Sequence, residues 1–198
     1  PNILSFHNDN VIPSMTKLVD AVHEYDAKFG VQLWNGGGTE MGRHQLISPS
    51  GLSSNVRNAR ADDGKGRKTG QPNRALGLDE IPEIIQYFAE GALRVAECGF
   101  DFVEIHGGHG YLISNFMTPL FNRRTDKYGG SFENRTRFIL EIVAAVKATV
   151  GDRIGVGLKF NGDDFLGNDG WTLEESCRLA PLAEAAGADY ITVTAEIG

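Results

Sequence analysis

Apolar positions along this chain follow two alternating periods. Met15, Leu18, Val22 and Tyr25 recur at helical spacing behind Ser14, which reads as the helix cap, and the apolar run Gly30 to Trp34 then reads as a short buried strand. Asp79 opens a second helix that tolerates Pro82 in its first turn and carries Ile81, Ile85, Phe88, Ala92 and Val95 on one face, and Gly99 ends it. A strand follows at Phe100 to His106. The next helix starts near Glu133, bears the stripe Ile139, Ile142, Val143, Val146 and Val150, and stops at Gly151. Ile154 to Phe160 is a third strand. Thr172 and Glu175 form a T-x-x-E capping box for a helix that runs to Gly187, and Tyr190 to Ala195 makes a fourth strand.

Strands alternating with helices of this length predict a parallel sheet with right-handed crossovers. The long excursions follow strand carboxyl ends, whereas the returns at Cys98-Gly99-Phe100 and Ala186-Gly187-Ala188 are tight. That asymmetry favours a (β/α)8 TIM barrel over a doubly wound open sheet, and no G-x-G-x-x-G follows any strand. A whole barrel takes about 250 residues and eight strands. The expectation is therefore one partial TIM-barrel domain over residues 1–198, holding about four central strands and truncated at both ends; the chain starts at Pro1 rather than Met. The stretch from Asn35 to Gly77 is rich in Gly, Ser, Asn and Arg without period, a connection so long that it reads as functional.

Composition narrows the function classes. With 41% hydrophobic and 23% charged residues the chain is ordinary globular material, and a net charge of −7 argues against a nucleic-acid partner. No apolar run approaches the roughly 20 residues of a membrane span. Cys98 and Cys177 sit in separate predicted helices, which favours a reducing, cytoplasmic compartment over a disulfide framework.

Candidate chemistry concentrates after the second strand. Gly107, Gly108 and Gly110 free the backbone so that His106, His109 and Tyr111 converge at a strand carboxyl end, where parallel α/β folds keep their sites. Three readings stand side by side: imidazoles and a phenol that polarise a carbonyl and deliver a proton, an H-x-x-H metal pair still wanting a third ligand, or structural histidines bonding loop carbonyls. In the loop that follows, Arg124, Asp126, Glu133, Asn134 and Arg135 read as a charge-assisted supporting network. Gln32 places an amide among apolar neighbours, where a ligand with donor and acceptor edges would satisfy it. Lys159 near the end of GVGLKF suits an anionic or electron-rich ligand, with a salt bridge to Asp163 or Asp164 as the competing reading. Trp34 is core or pocket wall, and His7, His23 and His44 read as surface residues.

The block FDFVEIHGGHGYLISNFMTPLFNRRTDKYGGSFENRTRF, Phe100 to Phe138, closely resembles the old yellow enzyme family, in particular its bacterial branch of NADH:flavin oxidoreductases and 2,4-dienoyl-CoA or enoate reductases. The likeness extends from VQLW to the chain end and corresponds to strands 3 to 6 of the family's barrel. It implies non-covalent FMN, with NADH or NADPH as electron donor and a small-molecule enone or enoyl thioester as substrate. By motif position His106 and His109 match the pair that binds the substrate carbonyl oxygen, and Tyr111 matches the tyrosine that protonates the α-carbon. Gln32 matches the glutamine on the flavin pyrimidine edge, and Lys159 stands where a basic residue, often arginine, lies near flavin N1 and O2.

Departures accompany the likeness. Many bacterial relatives read QLxHxGR, whereas this chain has Asn35 and Gly38 in place of the histidine and arginine, which leaves pocket shape open. Lysine at position 159 keeps charge and loses the bidentate fork. The family's phosphate-holding strands, and the iron–sulfur and FAD region that some relatives append, fall outside the chain, and a homo-oligomer is left open. Two other activities compete: amine or N-methyl dehydrogenation, against which His106 speaks because such relatives carry tyrosine there, and metal-dependent hydrolysis by His106 and His109. The piece alone can also be an inactive half-barrel whose unpaired strand edges self-associate.

Overall fold

The computed structural model describes residues 4–37, 46–52 and 73–195; Gly38, His44 and the middle of the Asn35 to Gly77 connection lie outside that set. In chain order the elements are α1 (Ile12–His23), β1 (Gly30–Leu33), β2 (Ile47–Ser48), β3 (Arg74–Ala75), α2 (Ile81–Glu97), β4 (Phe102–Gly107), α3 (Leu112–Met117), α4 (Phe132–Val150), β5 (Gly155–Asn161), α5 (Leu173–Ala186) and β6 (Tyr190–Thr194). Strands β1, β4, β5 and β6 form one sheet in that spatial order, each pair parallel. Strand follows strand around the sheet with helices between them, so the chain is a segment of a parallel TIM barrel.

The helices begin and end for local reasons. Pro82 lies in the first turn of α2, whose Ile81, Ile84, Phe88, Ala92 and Val95 are buried at helical spacing. Ser131 caps α4 by accepting from the Asn134 backbone N–H, and Thr172 with Glu175 completes the expected capping box of α5. Ser14 does not cap α1. That helix starts at Ile12, behind a 3-10 turn (Asp9–Val11) capped by Asn8, and the Ser14 hydroxyl donates back to the Val11 carbonyl. Pro13 in the first turn makes the early start affordable, since its missing N–H would have had no helical partner. Val19 is the buried contact of this helix, while Leu18 and Tyr25 are exposed.

Alternation along each strand divides the sheet into two faces. Val103, Ile105, Val156, Leu158 and Phe160 are fully buried beneath helices that contribute Phe88, Val95, Ile139, Ile142, Val143 and Leu179. Each such side chain contributes about 1.5–3 kcal/mol by leaving water. The opposite face carries Gln32, Glu104, His106, Lys159, Tyr190 and Thr192, with Gln32 beside Glu104 and His106 beside Lys159 in register.

The polar loop before α4 supports this frame in two parts rather than as the single network expected. Arg124 pairs with Asp126 at 2.6 Å and donates to the Pro49 and Leu76 carbonyls, which ties down the β2–β3 excursion. Asn134 donates to the Gly129 carbonyl within the same turn. Glu133 turns toward Arg178 of α5, while Arg135 pairs with Glu175 of α5 and also donates to the Gly130 and Met117 carbonyls, so it joins the loop to that helix.

Candidate active site

Beyond β4 the chain turns sharply, and His109 is held at φ +57°, a left-handed backbone that few non-glycine residues adopt. A built clamp keeps it there. The His109 N–H donates to Asn161 Oδ1 at 3.0 Å, and Asn161 Nδ2 donates to Asp164 Oδ1 at 2.7 Å. Asp164 Oδ2 accepts from Thr118 Oγ1 at 2.6 Å and from the Trp171 N–H at 2.9 Å. Burial pushes the Asp164 carboxyl up from its ordinary range, and these three donors oppose that shift. Gly108 is required for the approach, since a Cβ there would lie 2.8 Å from Asn161 Oδ1.

The turn brings three rings together. Ring centroids lie 4.9 Å apart for His106 and His109, 5.1 Å for His106 and Tyr111, and 6.5 Å for His109 and Tyr111. Burial, then the nearby His109 and Lys159, lowers the His106 pKa to about 4, so its imidazole is neutral near pH 7. His106 Nδ1 accepts from the Gly108 N–H at 3.2 Å, which leaves the ring proton on Nε2. That proton faces His109 Nδ1 at 3.2 Å, and His109 Nε2 in turn lies 2.8 Å from Thr194 Oγ1. Among the described residues the Tyr111 hydroxyl has no protein partner; its ring packs on half-exposed Trp34, centroids 4.8 Å apart, which makes Trp34 a wall rather than core.

Gln32 and Lys159 stand on the same sheet face as His106. Gln32 is exposed rather than embedded among apolar groups, and its Nε2 donates to Glu104 Oε1 at 2.6 Å. Lys159 makes neither salt bridge that competed for it: Asp164 is engaged in the clamp, and Asp163 accepts from the backbone of Phe165 and Leu173. Among the described residues no group of three or more His, Cys, Asp or Glu is placed to hold a metal ion. His23 is more than a surface residue, since its Nε2 bonds Asp101 at 2.8 Å.

Asn161, Asp164, Thr194 and Glu104 escaped the sequence reading. Glu104 had a signal, being a charge inside the apolar run FVEIH, the same irregularity that marked Gln32. The others had none, because they act across strand and loop contacts.

Four parallel strands in sequential order, with imidazoles, a phenol and a lysine gathered at their carboxyl ends, make a barrel-rim site. The chain belongs to the NADH:flavin oxidoreductase / NADH oxidase family, whose model matches residues 1–196. It is 38% identical over 98% of its length to an NADH oxidase of Thermoanaerobacter brockii, of which it spans 28%. It is 46% identical over 74% of its length to a putative 12-oxophytodienoate reductase-like protein of Arabidopsis thaliana, of which it spans 45%. A solved 2-naphthoyl-CoA reductase in complex with 2-naphthoyl-CoA superposes on 96% of the chain with a TM-score of 0.81 at 29% identity, the chain spanning 29% of that structure. The chain thus spans less than half the length of these relatives.

The residues on the inner face fit a flavin. Lys159 supplies a half-buried cation that makes no ion pair among the described residues, and Gln32 supplies a polar edge on the same face, which together suit an electron-rich ring with alternating donors and acceptors.

Proposed function

We propose that the intact protein binds FMN against this inner face and uses NADH or NADPH to reduce the C=C bond of an α,β-unsaturated carbonyl or enoyl thioester. The convergence of His106, His109 and Tyr111 on the face that carries Gln32 and Lys159 is the observation that carries the reading. When bound, FMN supplies hydride transfer from the nicotinamide to the alkene β-carbon. Gln32 would meet its pyrimidine edge and Lys159 the electron-rich side of that ring.

The histidines are suited to hold a carbonyl oxygen. His106 is kept neutral, so it offers one N–H without adding a second positive charge beside Lys159. His109 can present its own proton from Nδ1 once the Thr194 hydroxyl rotates from acceptor to donor toward Nε2. Two N–H groups 3.2 Å apart can then donate side by side to one oxygen, which accepts from both as negative charge develops. Tyr111, whose hydroxyl is uncommitted among the described residues, would deliver a proton to the α-carbon.

The test is anaerobic reoxidation of the reduced flavoprotein by a panel of enones, dienoyl thioesters and tertiary amines. Rapid reoxidation by the conjugated carbonyls alone is expected. A purified protein without flavin, or turnover confined to the amines, would sink the reading.

A further inference from the structure

On the inner face, Glu104 collects donors from the neighbouring strand β1 and, across β5, from β6. Its Oε1 lies 2.6 Å from Gln32 Nε2 on β1, and its Oε2 lies 2.5 Å from Thr192 Oγ1 on β6. Tyr190 reaches the same carboxylate across β5, and burial together with this negative charge pushes its phenol up to about 12. The reach depends on Gly157: a Cβ at that position would stand 2.1 Å from the Tyr190 ring. Strands β1, β4 and β6 are thereby joined through one carboxylate in the layer immediately below His106 and Lys159, with Gly157 of β5 leaving the space between them.

We propose that Glu104 is a positioning residue that fixes which end of the Gln32 amide meets the flavin, an inference that rests on the flavin reading above. An ionised carboxylate only accepts hydrogen bonds, so the amide end set against it must be the NH2 group. That leaves Gln32 its carbonyl oxygen and one N–H to offer. The oxygen is an acceptor for the ring N3–H, the one donor on the flavin's pyrimidine edge. Without Glu104 the amide could turn over and present NH2 there, and a site built around one donor would lose its preference for it. Thr192 donates to the other carboxylate oxygen, which leaves Oε1 to Gln32 alone.

The experiment measures equilibrium binding of FMN and of N3-methyl-FMN to the full-length apoprotein by fluorescence quenching. The unaltered protein is expected to bind N3-methyl-FMN at least about tenfold more weakly, a preference of the kind that a hydrogen-bonding site imposes. Glu104→Met, which removes the acceptor, and Glu104→Asp, which is too short to reach Gln32, should narrow that ratio to about threefold or less, as should Gln32→Ala. Thr192→Val, which leaves the Glu104 to Gln32 bond in place, should keep it. Retention of the full ratio in both Glu104 variants while Gln32→Ala loses it would overturn the positioning role. So would an equal loss in Thr192→Val, which would mean general loosening of the face. Should Gln32→Ala change neither affinity, the flavin does not meet Gln32, and the underlying reading fails along with the inference.

Discussion

The two faces of one sheet are built on opposite physical principles. On the helix side Val103, Ile105, Val156, Leu158 and Phe160 are fully buried, and their cohesion is non-directional: any well-fitting apolar side chain serves. On the inner side the adjacent positions in the same strands carry Glu104, His106 and Lys159, the first two held by hydrogen bonds whose donors and acceptors must match one to one. The first face holds the strands in register. The second uses that register to set imidazoles, amide and cation at fixed separations. Damage to the two should therefore look different: loss of stability on one side, loss of a selected chemical step on the other.

The largest contrast is expected from His106→Ala with His109→Ala. Alkene reduction should fall by about 10²–10⁴-fold, as when paired oxyanion donors are removed, while flavin reduction by NAD(P)H changes little. Stopped-flow measurement of the two half-reactions checks this, and equal losses in both would count against the carbonyl-binding role. Leu158→Ala on the buried face should do the reverse, lowering unfolding free energy by about 2–5 kcal/mol with the activity per folded molecule preserved. Denaturant titration beside active-site counting separates the two quantities.

Thr194→Val probes the seam between the faces. It removes the hydroxyl at His109 Nε2, and alkene reduction should drop about tenfold, the effect of one hydrogen bond, while the melting temperature shifts little. An unchanged rate would show that His109 needs no such partner. The smallest effect is in pH dependence. A histidine whose folded pKa is lowered to about 4 contributes stability that is fully present above its unfolded value near 6.5 and is lost as pH falls through 4. Replacing His106 by asparagine should flatten that acid limb, and an NMR titration of the His106 ring should show a midpoint near 4.

Much of this was readable before any coordinates. Both strand and helix periods appear in the apolar positions, and the capping box at Thr172 and Glu175 and the glycine stops at Gly99 and Gly187 mark boundaries chemically. HGGHGY announced converging rings through its glycines, although only Gly110 takes a positive φ, while Gly107 and Gly108 admit the close approach of Lys159 and Asn161. The first helix misled at Ser14, since a serine one residue after a helix-starting proline resembles a cap in sequence while donating to Val11 in space. The polar loop misled differently: Glu133 and Arg135 lie beside Asp126 in sequence, yet the helix that begins at Phe132 turns them toward α5.

Local pattern was enough to specify the order of the four sheet strands and the long helices between them, and which residue types gather at the strand ends, because period and capping depend on near neighbours; the short β2, β3 and α3, which lie in stretches without period, were not legible. The pairing of Glu104 with Gln32 and Thr192, the Asp164 to Asn161 to His109 clamp and the contact with Thr194 join residues 72, 88, 52 and 85 positions apart. Such contacts follow from the register of parallel strands. Register in turn is settled when helices and sheet pack as one body, since a slip of one residue would turn each inner side chain to the outside.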